Sequence, residues 1–266
     1  MVNARSERDE AQARRSRLLR LTLVPKTRAQ QGGRRQSPRN RRSFHGRADM
    51  SKAPKKRRQS IIDACREMNA LGINQGTSGN VSLREGGSML ITPTSMPYDR
   101  MAPEDIVEMR LDGSVVGDGR PSTEWRFHLD IMRTRPEVGA IVHAHPTFCT
   151  TLAIMERGIP AIHYMIAAAG GDTIRCAPYA TFGTQELSAH AIEALKDRKA
   201  CLLAHHGMIA VGDSLERAMW LAVEVETLAR QYVHCLQLGE PPLLSSDEIE
   251  NVASRIANYG LYSAPK

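Results

Sequence analysis

Two histidines, His143 and His145, stand two residues apart in "AIVHAHP" at residues 140–146, closing a short apolar run. Side chains alternate across a strand, so both rings project from one face. From there both imidazoles can reach a single metal at about 2 Å. An H-x-H pair alone reads equally well as a satisfied core or surface pair. A further histidine pair in "AHHG", residues 204–207, ends a second apolar run and offers a third imidazole. Three nitrogens plus one open or carboxylate position form the pattern of a catalytic rather than a structural zinc site. Glu124, after "GRPST", supplies a carboxylate at the mouth of a helix. It can serve as ligand and base, or as a helix-start residue, and taken alone the helix-start reading is the simpler one.

Three loops carry small residues and hydroxyls. "NQGTSGN" at 74–80 can bring backbone N–H groups close to a phosphate, with Thr77 and Ser78 as added donors. Its spacing fits neither a Walker A loop nor a dinucleotide fingerprint. "ITPTS" at 91–95 and "PST" at 121–123 are weaker on their own.

Elements of mixed type must position these residues. Ile61, Ile62, Cys65, Met68 and Leu71 recur at three- and four-residue spacings before Gly72, which predicts an amphipathic helix over 60–72. Residues 80–94 read as two strands about Glu85-Gly86-Gly87. Helices are expected over 124–137 and 150–158, with a buried strand over 138–146 between them. Residues 199–212 give two short apolar runs about His205-His206-Gly207. The longest helix is expected over 214–239, with Ser214 as N-cap, Gly239 as stop, and Met219, Ala222, Val225, Ala229 and Val233 in the core. Strands paired as hairpins among helices point to an antiparallel or mixed sheet covered by helices.

The net charge of +7 would suit a nucleic-acid binder if it were spread over the fold. It is not. Residues 1–49 hold 14 of the 36 Lys and Arg but only 4 of the 29 Asp and Glu, which leaves 22 basic and 25 acidic residues for the rest. The body is therefore mildly acidic, which argues against a nucleic-acid-binding core. Few large apolar residues and no period occur in the basic segment, so residues 1–53 are expected to form a disordered extension and 54–266 the folded domain. Met50 offers an alternative working start. No apolar run approaches the ~20 residues of a membrane-spanning helix. Five scattered cysteines without a CxxC pair read as core residues of a reducing compartment, and a cytoplasmic location is expected.

Taken in order, "NQGTSGNVS", "ITPTSMPY", "PSTEWRFH", "VHAHP", "IPAIHYMIAAAGG", "CAPYATFGT" and "LLAHHGMIAVG" resemble the zinc-dependent class II aldolases of the aldolase and adducin-head family. The likeness is strongest to the branch acting on L-fuculose 1-phosphate, and it runs from about residue 57 to 262. It implies an α/β fold of three layers, α/β/α, about a central, mainly antiparallel sheet. It also implies a homotetramer with sites between subunits and one Zn²⁺ per subunit. The residues it implies as metal ligands are His143, His145, His206 and Glu124, with Glu124 also the catalytic carboxylate and His205 structural. Tyr164 would be the proton donor contributed by a neighbouring subunit. Gly79, Asn80, Thr94, Ser95, Ser122 and Thr123 would cradle a phosphate, and Tyr259 would lie near the aldehyde. Ser95 replaces a glycine of the closest relatives, and Thr123 a serine. The implied reaction is reversible cleavage of a ketose 1-phosphate, L-fuculose 1-phosphate or a similar deoxy sugar phosphate. Its products would be dihydroxyacetone phosphate and an aldehyde such as L-lactaldehyde. A 4-epimerase acting on ribulose phosphate, a methylthioribulose-1-phosphate dehydratase or aldolase, and a non-catalytic adducin-like module share the fold.

Overall fold

The computed structural model describes residues 52–256. The expectations for the basic extension through residue 51, and for Tyr259, lie outside those residues.

A single eight-stranded sheet runs through the domain, made of β1 (Asn80–Glu85), β2 (Ser88–Ile91), β3 (Val107–Arg110), β4 (Val115–Val116), β5 (Ala140–Ala144), β6 (Arg175–Ala177), β7 (Ala200–Leu203) and β8 (Gly207–Gly212). Its order is β4-β3-β2-β1-β5-β8-β7-β6, so β1 and β5 lie at the centre. Every pairing is antiparallel except β6 with β7. That parallel pair is joined through a helix, as a crossover between parallel strands requires.

Among the described residues six α-helices cover the sheet: α1 (Lys52–Ala70), α2 (Trp125–Thr134), α3 (Thr147–Ile154), α4 (Gln185–Ala194), α5 (Leu215–Leu238) and α6 (Ser246–Arg255). The period-2 alternation of the strands divides their side chains between two cores. Val81, Leu83, Val142, Leu202, Met208 and Ala210 pack on one face with residues of α1, α3, α5 and α6. Met89, Ile91, Ile141, Cys201, Ile209 and Val211 pack on the other with residues of α2 and α4. The result is the expected three-layer arrangement.

Local chemistry explains the main boundaries. The Gly86-Gly87 loop closes the β1–β2 hairpin with Glu85 opposite Ser88, and Gly86 has φ 55°, where a Cβ is disfavoured. Ser214 accepts from the Arg217 N–H at 3.3 Å to start α5, and Gly239 ends it. The α2 helix stops at Thr134, where the Arg84 guanidinium from β1 donates to the carbonyls of Met132 at 2.6 Å and Arg135 at 3.0 Å. A cation meets the negative end of the helix there. Two expectations need adjusting. The α3 helix spans Thr147–Ile154, beginning three residues and ending four residues earlier than read, and Glu226 accepts from the N–H groups of Phe148 and Cys149 in its first turn. Leu71 is 52% exposed, since the chain leaves α1 at Ala70 before that position reaches the core.

Candidate active site

His143 is on the central strand β5, its ring turned toward the α2 side of the sheet, as is Ile141 two residues before. His145 follows one residue past the strand. His206 sits in the turn between β7 and β8, with its N–H bonded to the Leu203 carbonyl at 3.0 Å. Glu124 occupies the N-cap position of α2 but makes no side-chain cap. Its buried carboxylate points instead at the histidines, so the helix-start reading accounts for its place in the chain and not for its side chain.

The four groups converge. The Nε2 atoms of His143 and His145 are 2.9 Å apart. Glu124 Oε2 lies 3.2 Å from His143 Nε2, and Oε1 lies 3.0 Å from His206 Nε2. The three imidazole centroids are each 4.8 Å from the other two, with interplanar angles of 70° to 76°. One candidate ligand atom from each residue lies within 4.8 Å of all the others.

Whether this set suits a cation can be judged from its hydrogen bonds. His143 Nδ1 lies 2.9 Å from the Met208 carbonyl, an acceptor, so Nδ1 donates to it and Nε2 is the ring atom turned toward the cluster. Glu124 Oε1 is buried with no hydrogen-bond partner. As metal ligands the rings would be neutral, and bare nitrogens and an ionised oxygen facing one another at about 3 Å would repel unless a positive charge lay among them. Donors about 2.0–2.2 Å from a tetrahedral centre are about 3.3 Å apart, close to the separations seen. Three imidazoles and a carboxylate therefore fit a divalent cation. The electrostatics agree. Burial pushes the Glu124 carboxyl up, but positive charge on the His143 and His206 side of the cluster, the place a bound cation would take, outweighs it and holds the group below the ordinary carboxylate range. Burial, aided by His143 and His206, pushes His145 down to about 3, which keeps it neutral as a ligand must be.

A second polar layer, not anticipated from the sequence, lies behind Glu124. Asn80 Nδ2 donates to Glu124 Oε2 at 2.8 Å. Asn80 Oδ1 is 2.5 Å from His128 Nε2, and His128 Nδ1 is 2.7 Å from Ser82 Oγ. Burial pushes the fully enclosed His128 down to about 3, so the ring is neutral. The available signal was a pair of spacings. Asn80 and Ser82 share one face of β1, and Glu124 and His128 are four apart on α2.

Gly79, Asn80, Thr94, Ser95, Ser122 and Thr123 line one cleft of about 370 Å³ together with Glu124, His145 and His206. The sequence-predicted cradle and cluster thus meet. The cleft also includes Thr77, Ser78, Tyr98, Tyr179 and Phe182, of which Tyr98 donates to the Gly79 carbonyl at 2.5 Å. Gly79 is pressed against β5, for a Cβ there would stand 2.7 Å from the His143 carbonyl oxygen. Ser95 has φ 57°, the left-handed region that favours glycine. His205 pairs with Glu156 at 3.3 Å, outside the cluster. Tyr164 lies on a 3₁₀ helix (Tyr164–Ala169), 43% exposed, and does not line this chain's cleft.

Fold and cluster together define an α/β enzyme whose cleft, at the end of its two central strands, carries four residues that could hold a metal. Residues 59–233 match the family described as Class II Aldolase and Adducin N-terminal domain, and the chain belongs to that family as a class II aldolase, an aldehyde-lyase. It is 54% identical over 203 residues to the 5-methylthioribulose-1-phosphate/5-deoxyribulose-1-phosphate aldolase of Rhodospirillum rubrum, covering 76% of this chain and 92% of that one. It is 53% identical over 204 residues to the L-fuculose phosphate aldolase of Escherichia coli K12, covering 76% and 95%. A solved L-fuculose 1-phosphate aldolase superposes with a TM-score of 0.73 at 39% identity, covering 75% of this chain and 95% of that one. Class II aldolases use a divalent metal, and the Glu124, His143, His145 and His206 cluster could bind it.

Proposed function

We propose that the protein is a zinc-dependent aldolase that reversibly cleaves a ketose 1-phosphate to dihydroxyacetone phosphate and an aldehyde. The observation that carries this is the meeting of Glu124 with three imidazoles at one end of a cleft whose walls carry hydroxyl and amide groups. His143, His145, His206 and Glu124 would hold the zinc, which when bound would supply Lewis-acid polarisation and offset developing negative charge. Glu124 moves the proton at the carbon that loses the carbon–carbon bond. Gly79, Thr94, Ser95, Ser122 and Thr123 bind the phosphate and fix the substrate's orientation, while Asn80, expected in the same cradle, has its amide taken up by Glu124 and His128.

The same reading makes the enzyme a cytoplasmic homotetramer, with one zinc per subunit and residues 54–266 as its catalytic domain. Tyr164 acts as proton donor in a neighbouring subunit's site, and Tyr259 approaches the aldehyde. The exposure of Tyr164, and of Tyr179 and Phe182 at the cleft, supports a subunit boundary there. No described helix is long and apolar enough to cross a membrane.

L-fuculose 1-phosphate or a similar deoxy sugar phosphate is the substrate of this reading. A second reading, a 5-deoxy or 5-methylthio pentulose 1-phosphate, is favoured by the similarity to the R. rubrum enzyme and by the apolar Met96, Ala180 and Phe182 in the cleft wall. The test is steady-state cleavage of a panel of these ketose 1-phosphates by metal-loaded protein, following triose phosphate release. Release from at least one, abolished by chelation, is expected. An epimer or a dehydrated product without triose phosphate, or full activity after exhaustive metal removal, would overturn the reading.

A further inference from the structure

We infer that His128 is a positioning residue for Glu124, acting through Asn80 by fixing which end of the Asn80 amide faces the carboxylate. This rests on the aldolase reading for what Glu124 does. The inference itself concerns the polarity of a buried hydrogen-bond chain.

The polarity follows from what each group can offer. Asn80 Nδ2 donates to Glu124 Oε2 at 2.8 Å, the contact an amide N–H makes with a carboxylate oxygen, so the NH₂ end of the amide faces Glu124. Asn80 then presents its carbonyl Oδ1 inward, where the atom facing it at 2.5 Å must donate. The neutral His128 ring has one N–H, which is therefore on Nε2. Its bare Nδ1 then accepts from the Ser82 hydroxyl at 2.7 Å. One arrangement satisfies every member, Ser82 to His128 to Asn80 to Glu124. The opposite arrangement sets the Asn80 carbonyl against a carboxylate, and an unsatisfied or repelled buried acceptor is costly.

All four side chains are buried and share one face between β1 and α2. Asn80 also stands opposite His143 in the β1–β5 register. The backbone therefore fixes where Asn80 is, and His128 fixes which way round its amide lies. With the NH₂ committed to Oε2, the carboxylate is held in one rotamer toward the histidines. Without the His128 donor the amide can turn over, and Glu124 Oε2 loses the Asn80 N–H that it accepts.

The test is made on the holoenzyme with two readouts. In ¹⁵N-labelled, zinc-loaded wild type, long-range ¹H–¹⁵N correlation should show His128 protonated at Nε2 and bare at Nδ1. The opposite tautomer overturns the proposal whether or not the protein is active. In kinetics, His128→Leu should lower kcat on the order of 10- to 100-fold while still binding one metal per subunit. His128→Gln, which keeps an N–H toward Asn80 Oδ1, should recover kcat to within a few-fold. Wild-type kcat in His128→Leu, or equal losses in both variants, overturns it. If wild type itself lacks metal or turnover, the aldolase reading fails while the tautomer is still read. Should His128→Leu not fold, the wild-type tautomer and His128→Gln decide.

Discussion

Gly79→Ala tests how the cleft loop is tied to the metal ligands. The Cβ of an alanine would sit 2.7 Å from the His143 carbonyl oxygen and 2.9 Å from Asn74 Oδ1. An ordinary carbon–oxygen contact is about 0.7 Å longer than the first of these, so β5 or the loop must move by much of that amount. The Asn74 side chain can turn aside, but the His143 carbonyl belongs to a strand paired on both sides, with β1 and β8. Overpacking of this kind costs about 1–3 kcal/mol, or roughly 2–10 °C in Tm for a domain of this size. Catalytic groups need to be held within about 0.5 Å, and a misplacement of 1 Å can cost about 100-fold. The expected outcome is a Tm lowered by several degrees together with kcat lowered on the order of 10- to 100-fold. Thermal unfolding and triose phosphate release measure the two. A variant with wild-type Tm and wild-type kcat would show that the loop does not bear on β5, and the account of the site's rigidity would be wrong.

Ser95→Gly removes a left-handed serine, which relieves about 1–2 kcal/mol, against about 0.5–1 kcal/mol of added freedom in the unfolded chain. Denaturant titration should show stability unchanged or slightly raised, and a loss above about 1 kcal/mol contradicts the strain. Glu226 on α5 accepts from the backbone N–H groups of Phe148 at 3.0 Å and Cys149 at 2.9 Å, the first turn of α3, whose N-cap Pro146 offers no side-chain acceptor. Glu226→Ala should cost about 2–3 kcal/mol by stranding those donors, with Glu226→Gln intermediate, and unchanged unfolding midpoints would refute it. Metal-stripped protein should lose stability in acid. His128 and His145 are pushed down to about 3 in the fold, so between there and about 6.5 the unfolded chain binds more protons. Their contribution is fully present above about pH 6.5 and is lost as pH falls toward 3. Urea midpoints from pH 8 to 4 read this, and a flat profile contradicts it.

The parts of the fold and site carried by local pattern were legible. The H-x-H pair announces itself because alternation on a strand puts both rings on one face. "AHHG" does so because it interrupts an apolar run at a turn. The long α5 carries its own cap, stop and apolar stripe. Short elements were not legible. The two residues of β4 and three of β6 are too few to show a period, and their pairing comes from neighbours far along the chain. Glu124 shows the same limit. Its local context fits a helix start; the resemblance of "PSTEWRFH" to the family, not its spacing, named it as a ligand, and the structure turns its carboxylate to the histidines. His128 and Ser82 were missed because lone polar residues in a helix and a strand usually face water. Here both are fully buried and meet one another across the layers.

Anomalous scattering at the zinc edge from crystals of purified protein, paired with metal analysis of the same preparation, tests the central claim most directly. One zinc per chain is expected, placed among Glu124, His143, His145 and His206. Protein active without metal, or zinc bound away from those four side chains, would contradict the account.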